Sequence, residues 1–199
     1  MVATSLSWMN SMTLQWLLLA YKVPAEPTSR RVSLWRRLKG LGAVYLQNGV
    51  CLLPSTDDHL RRLKMIENEI AEMQGECVLL QTQGLDPAQH AKVVERFKSD
   101  RDDEYREFLG KCTAFQQEIE KEIRIEKFTY AELEEEDAEF RKLERWLEKI
   151  RKLDFHTADL GPKAEEQLAL SKAMLDDYAR RVFDSHDENR TDPGADEPS

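Results

Sequence analysis

Apolar residues follow different periods along the chain, and each change of period marks a change of element. From Leu14 to Val23 nearly every position is apolar. In an extended strand Leu14, Trp16, Leu18 and Ala20 point to one side and Leu17, Leu19, Tyr21 and Val23 to the other. The pattern therefore predicts a strand covered on both faces, ended by Pro24. Helical spacing follows over Ser29–Leu41: Leu34, Leu38 and Leu41 recur at i, i+4, i+7, and Val32, Trp35 and Leu38 at i, i+3, i+6. This predicts a helix with one broad stripe against the sheet, capped by Thr28 or Ser29 and stopped by Gly42. Two short extended runs, Ala43–Gln47 and Val50–Leu53, flank Asn48-Gly49, the pair favoured in a type I′ hairpin with positive φ at both residues. Ser55-x-x-Asp58 has the form of a capping box. It opens a second helix with Leu60, Leu63, Ile66, Ile70 and Met73 on one stripe, ended by Gly75. Cys77–Thr82 reads as a fourth strand.

The resulting order over residues 14–84 is β-α-β-β-α-β, the order of a ferredoxin-like fold. After it the pattern is helical throughout. Asp86-Pro87 supplies a cap and a first-turn proline to a helix striped by Val94, Phe97, Tyr105, Phe108, Cys112, Phe115 and Ile119. Thr129-x-x-Glu132 opens a helix striped by Leu133, Phe140, Leu143, Trp146, Leu147, Ile150 and Leu153. Beyond Leu160-Gly161-Pro162 lies a third, with Leu168, Leu175, Tyr178 and Val182. The expected architecture is α+β: a loose leader at 1–13, a ferredoxin-like domain at 14–84, a three-helix region at 85–184 packed on the open side of the sheet, and a disordered acidic tail at 185–199.

Charge divides the chain along similar lines. The first 64 residues carry nine Lys/Arg against three Asp/Glu, a net +6, while the remainder sums to −15 within a total of −9. A polyanion would meet the first third; the same asymmetry also fits two parts that attract each other. The apolar run near the N-terminus has no preceding Lys or Arg and, at roughly ten residues, falls short of the about 20 needed to span a bilayer. It therefore reads as a buried strand, with no membrane partner. Cys51, Cys77 and Cys112 share no metal or redox spacing, and His59, His90, His156 and His186 form no ligand motif, so neither metal nor cofactor is expected and a reducing cytoplasm is the default. No P-loop, GxGxxG, nucleophile elbow or triad is present, and the chain reads as a non-enzyme.

The candidate chemistry is cationic. Arg30, Arg36, Arg37 and Lys39 on the first helix are the best nucleic-acid feature, since arginine pairs bidentately with phosphate; a solvated helix face is the plain alternative. Arg31 falls on the apolar side of that helix, where it would snorkel or pair with Glu26. Arg101-Asp102-Asp103-Glu104 fans around a helix and reads as charged surface, not as a converging metal site. Arg141, Arg145, Lys149 and Lys152 form a basic ridge beside Glu134–Asp137, Glu144 and Glu148, which reads as an ion-paired face that an oxyanion could occupy. Lys22, Arg31 and Arg145 are the structural or anion-binding candidates.

Three stretches carry a family resemblance: WLLLAYKVPAEPTSRRVSLWRRLKGLGAVYLQNGVCLLP, FKSDRDDEYREFLGKC and KFTYAELEEEDAEFRKLERWLEKIRKLDF. Together, over about Gln15–Phe183, they resemble the N-terminal domain of the ChrB family of chromate-resistance regulators. The resemblance implies a cytoplasmic transcriptional regulator or accessory that binds DNA and responds to chromate or another oxyanion, and leads to the expectation that the family's usual C-terminal domain is absent; the strand apolar on both faces adds the expectation of a homodimer. A protein-interaction module that dimerises without binding DNA is the alternative. A more distant resemblance links residues 1–80 to PaaX-type repressors and to small CRISPR-associated metal nucleases. Those nucleases carry a metal-binding Asp at the end of the first strand. Lys22 stands at that position here, which argues against nuclease activity.

Overall fold

The computed structural model describes residues 15–188, and their side chains as far as 187. The expected leader at 1–13 and most of the acidic tail lie outside the described residues. Nine elements follow in order: β1 (Trp16–Lys22), α1 (Thr28–Gly40), β2 (Val44–Gln47), β3 (Val50–Pro54), α2 (Asp57–Glu72), β4 (Glu76–Thr82), α3 (Pro87–Arg124), α4 (Tyr130–Lys152) and α5 (Gly161–Glu188). The chain forms two compact units, 1–97 and 98–199, so α3 begins in one and ends in the other. The last helix runs on to Glu188, past the expected start of the tail.

In the first unit the four strands form one antiparallel sheet in the order β2-β3-β1-β4. This is the ferredoxin-like order, and the chain is α+β as expected. β1 is apolar from Trp16 to Ala20 because it is central, flanked by β3 and β4. Leu17 and Leu19 lie under α1 and α2 in a core with Leu34, Leu38, Cys51, Leu53, Leu63, Ile66 and Ile70. On the opposite face Trp16 is buried, its ring 4.7 Å from that of His90 at the start of α3. Val78 and Leu80 on the edge strand β4 remain about half exposed (53% and 52%).

Several local features differ from the sequence reading. Only Gly49 of the hairpin pair has positive φ (+75°), so the turn is not type I′, and a bulge between Tyr45 and Gln47 supplies the twist that such a turn would have provided. Gly49 also has a packing role. Its carbonyl accepts a hydrogen bond from the Tyr21 N–H (2.7 Å), and a Cβ on it would run into the Tyr21 carbonyl oxygen. At the start of α1 the cap position is taken by Pro27, and the Glu26 carboxylate accepts from the Thr28 N–H instead (3.2 Å). The cap of α2 is Thr56 rather than Ser55; its hydroxyl accepts from the His59 N–H (3.1 Å). At the far end of α2 the left-handed residue is Gln74, while Gly75 is needed for clearance, since a Cβ there would lie 2.7 Å from the Lys22 carbonyl oxygen. The stripe expected to face the sheet from α1 is only partly buried. Leu34 and Leu38 are in the core, but Val32 and Trp35 are exposed.

The second unit is helical. Tyr105, Phe108, Cys112, Phe115 and Ile119 of α3 pack with Phe140, Leu143, Leu147 and Ile150 of α4 and with Ala164, Leu175, Tyr178 and Val182 of α5. Thr129 caps α4 as expected, accepting from the Glu132 N–H (3.3 Å). The Tyr178 hydroxyl donates to the Lys127 carbonyl (2.7 Å), tying α5 to the α3–α4 connection. The acidic knot read as charged surface is not all surface. Arg101 is buried in the α3 stripe with its guanidinium on Glu104 (2.8 Å), and Asp102 accepts from the Leu160 N–H (2.8 Å) ahead of α5. Among the described residues no helix is long and apolar enough to cross a membrane.

Candidate anion-binding site

One face of α1 explains the site. Thr28, Arg31, Val32, Trp35 and Lys39 recur at helical spacing, about a quarter-turn from the buried Leu34 and Leu38. This face turns toward the end of β1 and the β2–β3 hairpin. Between them is a cavity of about 780 Å³ lined by Tyr21, Lys22, Val23, Asn48, Gly49 and Tyr45, by that face of α1, and by Arg96 from α3. Four cations, Lys22, Arg31, Lys39 and Arg96, reach it from three elements, β1, α1 and α3. Among the described residues no Asp or Glu lines it.

The neutral groups in the cavity add no negative charge. The Tyr21 and Tyr45 hydroxyls hydrogen-bond each other at 2.9 Å. Burial raises both phenols above their ordinary value, most for Tyr45, whose hydrogen bond to Tyr21 raises it further. The Lys39 ammonium lies 6.0 Å from the centre of the Tyr45 ring. Cys51, buried beneath, has its thiol pushed up to about 12 by burial. At neutral pH it is an inert thiol and no nucleophile. The cavity is thus positive and supplied with hydrogen-bonding groups that stay neutral.

The cations singled out in the sequence fall in several places. Lys22, Arg31 and Lys39 converge here. Arg31 is exposed and lines the cavity, not on the core-facing side, and Glu26 is turned to the Thr28 backbone and hydroxyl instead. Arg31 lies off the core because the buried stripe of α1 is narrower than its apolar spacing suggests. Arg30 and Arg36 are exposed on other parts of α1. Arg37 is engaged, its guanidinium held by Glu69 of α2. Arg145 belongs to the second unit, on a shallow concavity where Asp137, Glu144 and Glu148 offset Arg141, Lys172 and Arg145 itself. Sequence reading missed Arg96, which no local pattern marks. It also missed Thr28, Trp35 and Tyr45; the α1 periodicity linking Thr28, Arg31, Trp35 and Lys39 was the signal that would have found the helical members.

A second concavity, of about 470 Å³, lies in the second unit. Six glutamates (Glu118, Glu122, Glu132, Glu135, Glu136 and Glu139) line it with Lys111, Lys121 and Lys127, so its charge is mixed and it is no match for an anion. Among the described residues no group of three or more His, Cys, Asp or Glu side chains could hold a metal ion.

A family model described as the N-terminal part of protein ChrB matches residues 31–189. The chain belongs to the ChrB N-terminal family. The matched span takes in Arg31, Trp35, Lys39, Tyr45, Asn48, Gly49 and Arg96 of the cavity and nearly all of the second unit. A protein ChrB of Cupriavidus metallidurans is similar as well, 28% identical over 161 residues, which are 81% of this chain and 46% of that protein. The chain therefore spans about half the length of this curated ChrB relative.

Proposed function

We propose that this ChrB-family chain is a regulatory DNA-binding module in chromate resistance, with chromate as the signal it answers to. In this reading DNA phosphates meet the cationic concavity of the first unit and the exposed Arg30 and Arg36 beside it. One observation carries the proposal: Lys22, Arg31, Lys39 and Arg96 arrive from three elements at one concavity that no acidic side chain among the described residues lines. Scattered basic residues are weak indicators, whereas cations that converge from several elements on one concavity create a local positive potential that steers polyanions. The same convergence opposes a metal-nuclease reading, since a divalent cation would enter against that charge. The protein-interaction reading has the half-exposed Val78 and Leu80 of β4 in its favour, and DNA titration separates the two.

The test is binding to duplex DNA at increasing salt. Log K is expected to fall linearly with log salt. Lys22→Ala and Arg31→Ala are each expected to reduce that slope by about one. Arg37→Ala is expected to have the smaller effect because Glu69 already holds its guanidinium. Added chromate is expected to weaken the complex. Absence of binding at low salt, or a folded Lys22/Arg31 double variant that binds as tightly as the parent, would remove the proposal.

A further inference from the structure

We infer that the cavity between α1 and the β2–β3 hairpin binds a nucleoside phosphate, with the phosphate on Lys22, Arg31 and Arg96 and the base against Trp35. The inference rests on the assignment of this concavity to phosphate and specifies what enters it.

The first argument is shape. A duplex presents its phosphates on a convex outer surface, whereas about 780 Å³ of concave space falls among small-ligand pockets of roughly 300–1,000 Å³. A single nucleotide fits such a space, whereas a paired one enters it only by flipping out of its helix, at the cost of stacking and pairing.

The second argument is the lining. A site for inorganic phosphate or another bare oxyanion needs cations and N–H donors and nothing more. This one also has an aromatic wall. Trp35 lines it with 48% of its surface exposed, although Leu34 beside it on α1 is fully buried. A half-solvated indole next to guanidinium groups is the platform on which bases stack, a contact that typically adds roughly ten-fold or more to affinity and tolerates any base.

The third argument is the neutral polar set. Tyr21 and Tyr45, whose hydroxyls hydrogen-bond each other, line the same space with Asn48 and Thr28. Such groups can hydrogen-bond a sugar or a base edge. Glu26, Glu72 and Glu76 line neighbouring grooves that share Arg31 or Lys22 and do not line this cavity. The bound nucleoside phosphate is either free in solution or an unpaired residue of a strand.

The experiment titrates the full chain with adenosine diphosphate, inorganic phosphate, a single-stranded oligodeoxynucleotide and the matching duplex, read by calorimetry. Adenosine diphosphate is expected to bind at least ten-fold tighter than inorganic phosphate. Trp35→Ala is expected to bring the nucleotide down to the affinity of phosphate and leave phosphate unchanged, Trp35→Phe to retain most of the difference, and Arg31→Ala to weaken both ligands. Displacement of the nucleotide by the single strand identifies a strand as the source, and failure to displace identifies the free nucleotide. Equal affinities for nucleotide and phosphate, no nucleotide binding, or an unchanged nucleotide affinity in folded Trp35→Ala overturns the inference. Duplex binding without nucleotide binding overturns it while leaving the regulator proposal standing; nucleotide binding without duplex binding does the reverse.

Discussion

The two units handle charge in opposite ways. In the second unit many cations are neutralised by a carboxylate three or four residues away on the same helix: Arg106 by Asp103, Lys121 by Glu118, Arg141 by Asp137 and Arg181 by Asp177. Such pairs solubilise a helix and contribute little energy. In the first unit α2 does the same, with Arg61 and Arg62 on Asp58. The cations of β1, the cavity face of α1 and the N-terminal part of α3 meet at a space that no Asp or Glu among the described residues lines. The interiors also differ. The second unit buries Arg101, Glu122 and Glu136 inside its bundle, whereas His59 is the polar side chain buried among the described residues of the first. The lesson is that a count of charges is uninformative about a site. What matters is whether the charges come from one helix, and so spread around it, or from several elements, and so converge.

The comparison can be broken most severely at Gly49, where the first unit closes its cavity. Gly49→Val places a β-branched residue at φ +75° and drives its Cβ into the Tyr21 carbonyl oxygen. The expected loss is about 3 kcal/mol or more. In hydrogen exchange the amides of β1, β2 and β3 should lose protection while those of α4 and α5 keep theirs. Protection equal to that of the parent would show that the hairpin does not depend on this close approach.

A smaller effect, of opposite sign, is expected in the second unit. Glu136 is buried on α4, and its carboxyl is pushed up to about 7, first by burial and then by Glu118, Glu135, Glu122 and Glu132. Because the folded chain holds this proton more tightly than the unfolded chain, the stability contributed by Glu136 is present below the ordinary carboxyl range and is lost as pH rises through about 7. Glu136→Gln removes that loss. It should raise the melting temperature by a few degrees at pH 8, on the order of 1 kcal/mol after allowance for solvent screening, and by progressively less toward pH 4. A gain that is the same at both pH values would mean that side-chain packing, not ionisation, is responsible.

The smallest effects test the contrast itself. Arg181→Ala removes a partner of Asp177 on exposed α5 surface and should change stability by less than about 0.5 kcal/mol. Arg145→Ala should leave both stability and the salt dependence of DNA binding at parental values, since its neighbours on α4 include Glu144 and Glu148. A salt slope reduced by Arg145→Ala would place a phosphate contact in the second unit and end the division of labour drawn here.

Local features were legible in the chain alone. Strand, helix and hairpin follow one another over residues 14–84 because period and turn chemistry act over a few residues, and the Asp86 and Thr129 caps were legible for the same reason: each bonds an N–H three residues on. Family membership was legible too, in runs of contiguous residues. Which face of each element is covered depends instead on how the elements pack. Apolar spacing put Val32 and Trp35 with Leu34 and Leu38, but the seat of α1 on the sheet buries only the leucines. That placement turns Trp35 and Arg31 toward the cavity. Arg96 joins them from a helix far along the chain, and no local pattern could have announced it. Arg101 and Glu136 look like surface charges in any window of sequence and are buried only in the packed helical unit. Periodicity tells which residues share a side; the packing of one element on another, which depends on contacts distant in sequence, determines whether that side meets core, cavity or water.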